Sequence, residues 1–233
     1  MPMPRILRWL PLLIAAGPAV GDGIGIAKVE TPYTQLLEQE LEYNTLYSDG
    51  DQGSQQRHEL SYGRALASHW FGEVEAIGVR EAGSNIELEA FALELKHQFT
   101  EQGEYSSDWG WQTELERGTE HNQWELSNML IGSRDWGPWT GTANLAVIYE
   151  WGDHLDSEVE TRFAGQLKYR RGMAWEPALE LHLGQNTRGL GPVVTGAMRL
   201  GQRKKLLWEV GAILGLDRDT PDVNLKANLE YEF

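Results

Sequence analysis

The chain has 233 residues, no cysteine and a net charge of −15, set by 20 Lys and Arg against 35 Asp and Glu. Without cysteine, disulfide frameworks, thiol catalysis and Cys-ligated metals are excluded. The acidic balance excludes nucleic acid as a partner, because phosphate binding needs a basic face.

In chain order, the N-terminus reads first as an export signal. Arg5 and Arg8 flank the start of the apolar stretch Trp9–Ala16, and Ala19 and Gly21 stand at the −3 and −1 positions of a cleavage site. This pattern predicts a signal peptide over residues 1–21. The stretch is too short for the ~20 apolar residues of a membrane helix. Residues 22–35 then read as a short N-terminal periplasmic segment, and residues 36–233 as one domain.

From residue 36 onward the hydropathy has period two. Leu37, Leu41, Tyr43 and Tyr47 alternate with Glu38, Glu40, Glu42 and Asn44. The same template returns in Trp109–Glu116, in Trp139–Trp151, in Val159–Arg170 and in Trp175–Leu183. Such alternation means strands with one apolar and one polar face. Strands are expected at roughly 36–47, 57–66, 69–81, 86–99, 108–117, 123–133, 139–151, 158–170, 174–184, 192–202, 206–216 and 223–233. Two regions are less regular. Ile77 and Val79 break the parity of their strand, and between Leu88 and Phe91 the apolar parity switches. A β-bulge near Ala90 accounts for the switch; a helix over 86–99 is the competing reading, since that segment has good helix propensity.

The last strand is the clearest. From Val223 to Phe233 every odd position is apolar or aromatic and every even one is polar. The count of about 12 is even, as a barrel with both ends on the periplasmic side requires. The apolar faces carry Tyr47, Trp70, Trp109, Trp139, Trp151 and Trp175 near strand ends, where amphipathic rings suit lipid headgroups. The other faces carry long charged side chains, which suit a wet lumen and not a dry core. The predicted fold is an all-β, up-and-down antiparallel transmembrane β-barrel. The predicted location is the Gram-negative outer membrane, with the lipid bilayer as its surround.

The face assignment gives the lumen an acidic wall. Glu38, Glu40, Glu42, Glu73, Glu75, Glu114 and Glu116 point inward as a possible permeation path, with Arg162, Lys168, Arg170 and Lys226 among fewer inward bases. A net negative wall concentrates cations and repels anions. The expected function is therefore a small channel for hydrophilic, cation-preferring solutes. The alternatives are a non-conducting barrel that acts as a scaffold or binds partners, and, behind both, an outer-membrane hydrolase.

No catalytic group, metal site or cofactor is predicted. His58 and Ser61 fall on opposite faces, Ser68 and His69 are adjacent and so do the same, and no two His have ligand spacing. His121 and His154 sit beside acids in expected loops.

The closing Glu230-Tyr231-Glu232-Phe233 resembles the C-terminal signal that bacterial outer-membrane barrels present to their assembly machinery. The resemblance implies Tyr231 and Phe233 as the recognised residues. Together with Leu190-Gly191-Pro192 entering a late strand, it is similar to transporter-like barrels related to the phenol-degradation-pathway MetA proteins and copper-resistance B proteins. Copper-resistance B proteins are typically rich in Met and His; this chain has five Met and six scattered His, which departs from that pattern.

Overall fold

The computed structural model describes residues 25–233 except 52, 121, 154 and 203. The expected signal peptide, His121 and His154 lie outside the described residues.

The period-two segments form β1 (Gln39–Gly50), β2 (Gly53–Ala67), β3 (Trp70–Glu81), β4 (Glu87–Gln98), β5 (Asp108–Gly118) and β6 (Trp124–Trp136). They continue as β7 (Trp139–Gly152), β8 (Leu155–Tyr169), β9 (Glu176–Leu183), β10 (Arg188–Arg199), β11 (Lys205–Gly215) and β12 (Val223–Glu232). Each strand pairs antiparallel with its sequence neighbours, and β1 pairs with β12 from Glu40↔Glu232 to Asp49↔Val223, closing the barrel. Closure leaves no unpaired strand edge. One rim holds the chain end after β12 and the start of β1; it is called the C-terminal rim below, and the opposite one the far rim.

The faces are sorted as the alternation requires. Leu41, Leu60, Val74, Leu93, Leu145, Val147, Val210, Leu225 and Leu229 are all exposed on the outside. Water would not tolerate so continuous an apolar belt, whereas lipid would. Aromatic rings gather at the rims. Trp139 meets Tyr169 edge-on and Tyr231 stacks on Phe233 at the C-terminal rim; Trp124 and Tyr149 each stack on Trp151 at the far rim.

Residues 87–98 form a strand and not a helix. Ile77 pairs with Ala90 and Gly78 with Leu88, so Glu89 is the extra residue of a bulge. The bulge rotates the following side chains by one step, which is why the parity changes there. Ile77, which breaks the outward pattern, is buried against Ala90 and Ala92. The β1–β2 turn is tighter than the sequence suggested: pairing runs on to Gly50↔Gly53, and Gly53 takes a φ of 105°.

Two glycines allow close approach. A Cβ on Gly63 would lie 2.4 Å from the Phe71 ring, which fills the space beside it. A Cβ on Gly191 would lie 1.9 Å from the Ala212 carbonyl oxygen. Gly191 precedes Pro192, which has no N–H for the β11 ladder, so β10 presses on β11 where a side chain could not fit.

Candidate functional site: an acid-lined lumen crossed by the N-terminal segment

Inward side chains of neighbouring strands stack in rows across the wall. Register sets Glu40 beside Gly63, Gly63 beside Glu73, Glu73 beside Glu94 and Glu94 beside Glu114. The result is two groups of carboxylates, Glu40–Glu42–Glu73 and Glu75–Glu94–Glu114, each with oxygens within 4.8 Å of one another. Like charges this close favour a counter-cation, and oxygen donors suit hard cations. No spacing rule finds these groups, because each draws members from more than one strand.

The lumen holds two cavities. One, of about 220 Å³, is lined by Glu40, Glu42, Glu73, Glu75, Glu114, Glu116, Arg162 and Lys226 among others. The other, of about 340 Å³, is lined by Glu38, Glu40 and Lys168 among others. Arg170 lines neither: it lies just past β8 at the C-terminal rim, where it donates to Asp135 at 2.6 Å and to the Gly137 carbonyl. Lys168 lies 3.5 Å from Glu176. Tyr231 and Phe233 stack at the rim, Phe233 being exposed.

The described part of the N-terminal segment, residues 25–35, runs through the barrel to the C-terminal rim. At the far rim Ile26 is buried with Leu46, Val193 and Ile213. In the middle, Lys28 Nζ lies 2.7 Å from Glu42, 3.3 Å from Glu230 and 3.5 Å from Glu30. Glu30 also receives Lys96 at 2.8 Å. Its backbone pairs in both directions with the Asn144 amide, at 2.7 and 2.8 Å. At the C-terminal rim the Tyr33 hydroxyl donates to Asp108 at 2.8 Å and the Thr34 N–H to Gln98 Oε1 at 2.8 Å. Burial, and then the Asp108 carboxylate, push the Tyr33 phenol up to about 12. The chain reverses at Gln35–Glu38 through Leu37, whose φ is 69°, and enters β1. Eight steps at ~3.3 Å bring residues 26–34 to about 26 Å, close to the ~25 Å height of an apolar band.

Side-chain amides here do the work that a neighbouring strand does elsewhere, since buried backbone groups must find partners. That is why this stretch carries no hydropathy period. Lys28 and Glu30 belong to both cavity linings, so the segment stands between the two spaces.

A second buried network lies on the β9–β12 side. Lys226 Nζ donates to Glu180 at 2.9 Å and lies 2.8 Å from Glu209, while Glu180 also holds His182 at 3.0 Å and Gln166 at 2.8 Å. Lys226 further donates to the Ala27 carbonyl at 3.2 Å, which ties this network to the segment.

The fold does bring one Ser–His–acid set together. Ser68 Oγ lies 3.0 Å from His69 Nδ1, and His69 Nε2 lies 2.8 Å from Glu101. Ser68 and His69 occupy the β2–β3 turn, so the opposite-face rule for strands does not apply to them. Ser68 and Glu101 are exposed, and none of the three residues lines either lumen cavity. A water-filled turn does not enclose a substrate.

No family model and no curated protein matches this chain. Solved structures do match its fold. The COG4313 outer membrane channel from Pseudomonas putida F1 superposes with a TM-score of 0.59 at 12% identity, over 89% of this chain and 98% of that one. The KdgM porin in complex with disordered oligogalacturonate gives a TM-score of 0.56 at 12% identity, over 83% and 99%. The NanC porin gives 0.56 at 10% identity, over 83% and 98%. The shared feature is the architecture, a closed antiparallel 12-strand barrel.

Proposed function

We propose that this chain is an outer-membrane channel for small hydrophilic solutes, with a preference for cations. The observation that carries the reading is an acid-rich interior enclosed by an apolar outer face. Carboxylates of Glu40, Glu42, Glu73, Glu75, Glu94 and Glu114 crowd one side of the lumen, and among the described residues only Glu42 of these has a basic side chain within 4 Å. A wall of this charge draws cations in. Oligogalacturonate, the ligand named for the KdgM porin complex, is a polyanion, so a shared fold need not mean a shared solute.

In this reading residues 1–21 direct export, and Tyr231 and Phe233 present the C-terminal strand to the assembly machinery. Kinship with MetA-related barrels is part of the same reading, supported by the strand count and the Leu190-Gly191-Pro192 entry to β10.

The test is single-channel recording of the refolded protein in a planar bilayer, with heat-modifiable gel migration as folding control. Cation-selective steps are expected, and replacing Glu38, Glu40 and Glu42 by Gln should lower the selectivity. Anion-selective steps would overturn the cation preference. A second reading, a barrel that does not conduct, is favoured by the segment that stands between the two cavities; a folded barrel that stays silent under every condition, including loss of that segment, would establish it.

A further inference from the structure

We infer that residues 25–35 are a tethered plug, anchored by Lys28 in the acid-lined lumen, whose withdrawal joins the two cavities into one passage. This rests on the channel reading and adds its regulation.

Three of the plug's attachments differ in chemistry. Ile26 is an apolar peg among Leu46, Val193 and Ile213 at the far rim. Lys28 is a cationic pin between Glu42 of β1 and Glu230 of β12. Tyr33 and Thr34 hydrogen-bond Asp108 and Gln98 at the C-terminal rim. Between these points the backbone forms no strand pairing with the wall. It leans on side chains such as Asn144, which can turn to solvent once released. A segment inserted in the ladder would have to break continuous main-chain bonds to leave. This one has only discrete contacts to give up.

The pin also defines what can compete with it. Lys28 places an alkylammonium among three carboxylates, so a permeating organic cation meets the same cradle that holds the plug. Withdrawal uncovers Glu42 and Glu230 to a passing cation; Glu30 leaves together with Lys28 and frees Lys96, so the net charge of the passage is unchanged. The reversal at Leu37 leaves the segment joined to β1, so it swings out at the C-terminal rim without unravelling the barrel.

The experiment compares three forms of the full-length protein in planar bilayers, all checked for heat-modifiable migration. In the first, Pro32→Cys and Gly110→Cys are combined; a Cβ on Gly110 would lie 2.9 Å from the Pro32 Cβ, so a shift of about 1 Å reaches disulfide geometry. The chain has no cysteine of its own to interfere. The second is Lys28→Met, and the third lacks residues 25–35. The oxidised pair should be silent or reduced at least several-fold in conductance, and dithiothreitol should restore wild-type steps. Lys28→Met should open more often, and the deletion should conduct continuously. Equal conductance in the oxidised, reduced and deleted forms would overturn the plug and leave the channel reading intact. A folded deletion variant with no conductance would overturn the channel reading, and the plug with it.

Discussion

Replacing Lys226 by Met asks how much of this barrel's stability resides in its lumen. Met has nearly the length of Lys without the charge. The Lys226 ammonium sits 2.9 Å from Glu180 and 2.8 Å from Glu209, with side-chain exposures of 7%, 0% and 12%. Removing one partner of a buried ion pair costs about 3–5 kcal/mol, because the remaining charge is left without compensation. Glu180 keeps His182 and Gln166, which places the expected loss near the lower end, about 3 kcal/mol. Urea unfolding of the protein refolded in lipid vesicles, followed by tryptophan emission, measures it. The midpoint should fall with an unchanged slope. Glu180→Gln should cost less in the Lys226→Met background than in the wild type, giving a coupling energy of about 2 kcal/mol in a double-mutant cycle. A single-variant loss under roughly 0.5 kcal/mol, with no coupling, would show that the lumen is solvated enough for the pair to contribute nothing.

Gly191→Ala should block correct closure between β10 and β11, because its Cβ would meet the Ala212 carbonyl at 1.9 Å; the heat-modifiable band should be largely lost, whereas Gly172→Ala, with open space around it and no positive φ, should retain it. The Tyr33 phenol should ionise late in an alkaline absorbance titration, and Tyr33→Phe should remove that late component. Its folded value is raised, so its contribution holds below the ordinary value near 10 and is lost as pH climbs through about 12; an unchanged titration in the variant would contradict the Asp108 contact. Phe233→Ala should slow assembly into vesicles supplied with the assembly machinery while leaving the final barrel's unfolding midpoint within about 1 kcal/mol; an unchanged rate would remove Phe233 from the recognition signal.

What the sequence made legible is what depends on parity. Each strand has two faces, and alternation over ten or more residues reports both, so the 12 strands could be read directly. Even the bulge left a trace, because Glu89 shifts the apolar parity downstream of it. Register is a different matter. Which acids become neighbours depends on how far each strand slides against the next, and the Glu73–Glu94–Glu114 row carries no mark in any single strand. Arg170 illustrates the limit at strand ends, where one residue past β8 exchanges the lumen for the rim. Ser68 and His69 show the same limit in a turn. The segment at 25–35 was hardest to read, since it has neither a ladder partner nor a period; its clues are single residues, Ile26, Lys28 and Glu30, whose partners are 14 to 202 positions away.

The strand pair β1–β12 differs from the other eleven in having no turn to tie it. Every other junction is held covalently at one rim, while this one relies on its ladder and on side-chain hydrogen bonds across it, such as Ser48 to Asn224 at 2.7 Å. Lys28 touches Glu42 on one side of that junction and Glu230 on the other. The ammonium therefore works as a clasp across the seam, fastened from within, where lipid cannot reach it. A force that pried the hoop open sideways would have to unfasten the clasp before it could part the strands, and a barrel whose segment had swung out would be mechanically weakest along that one line.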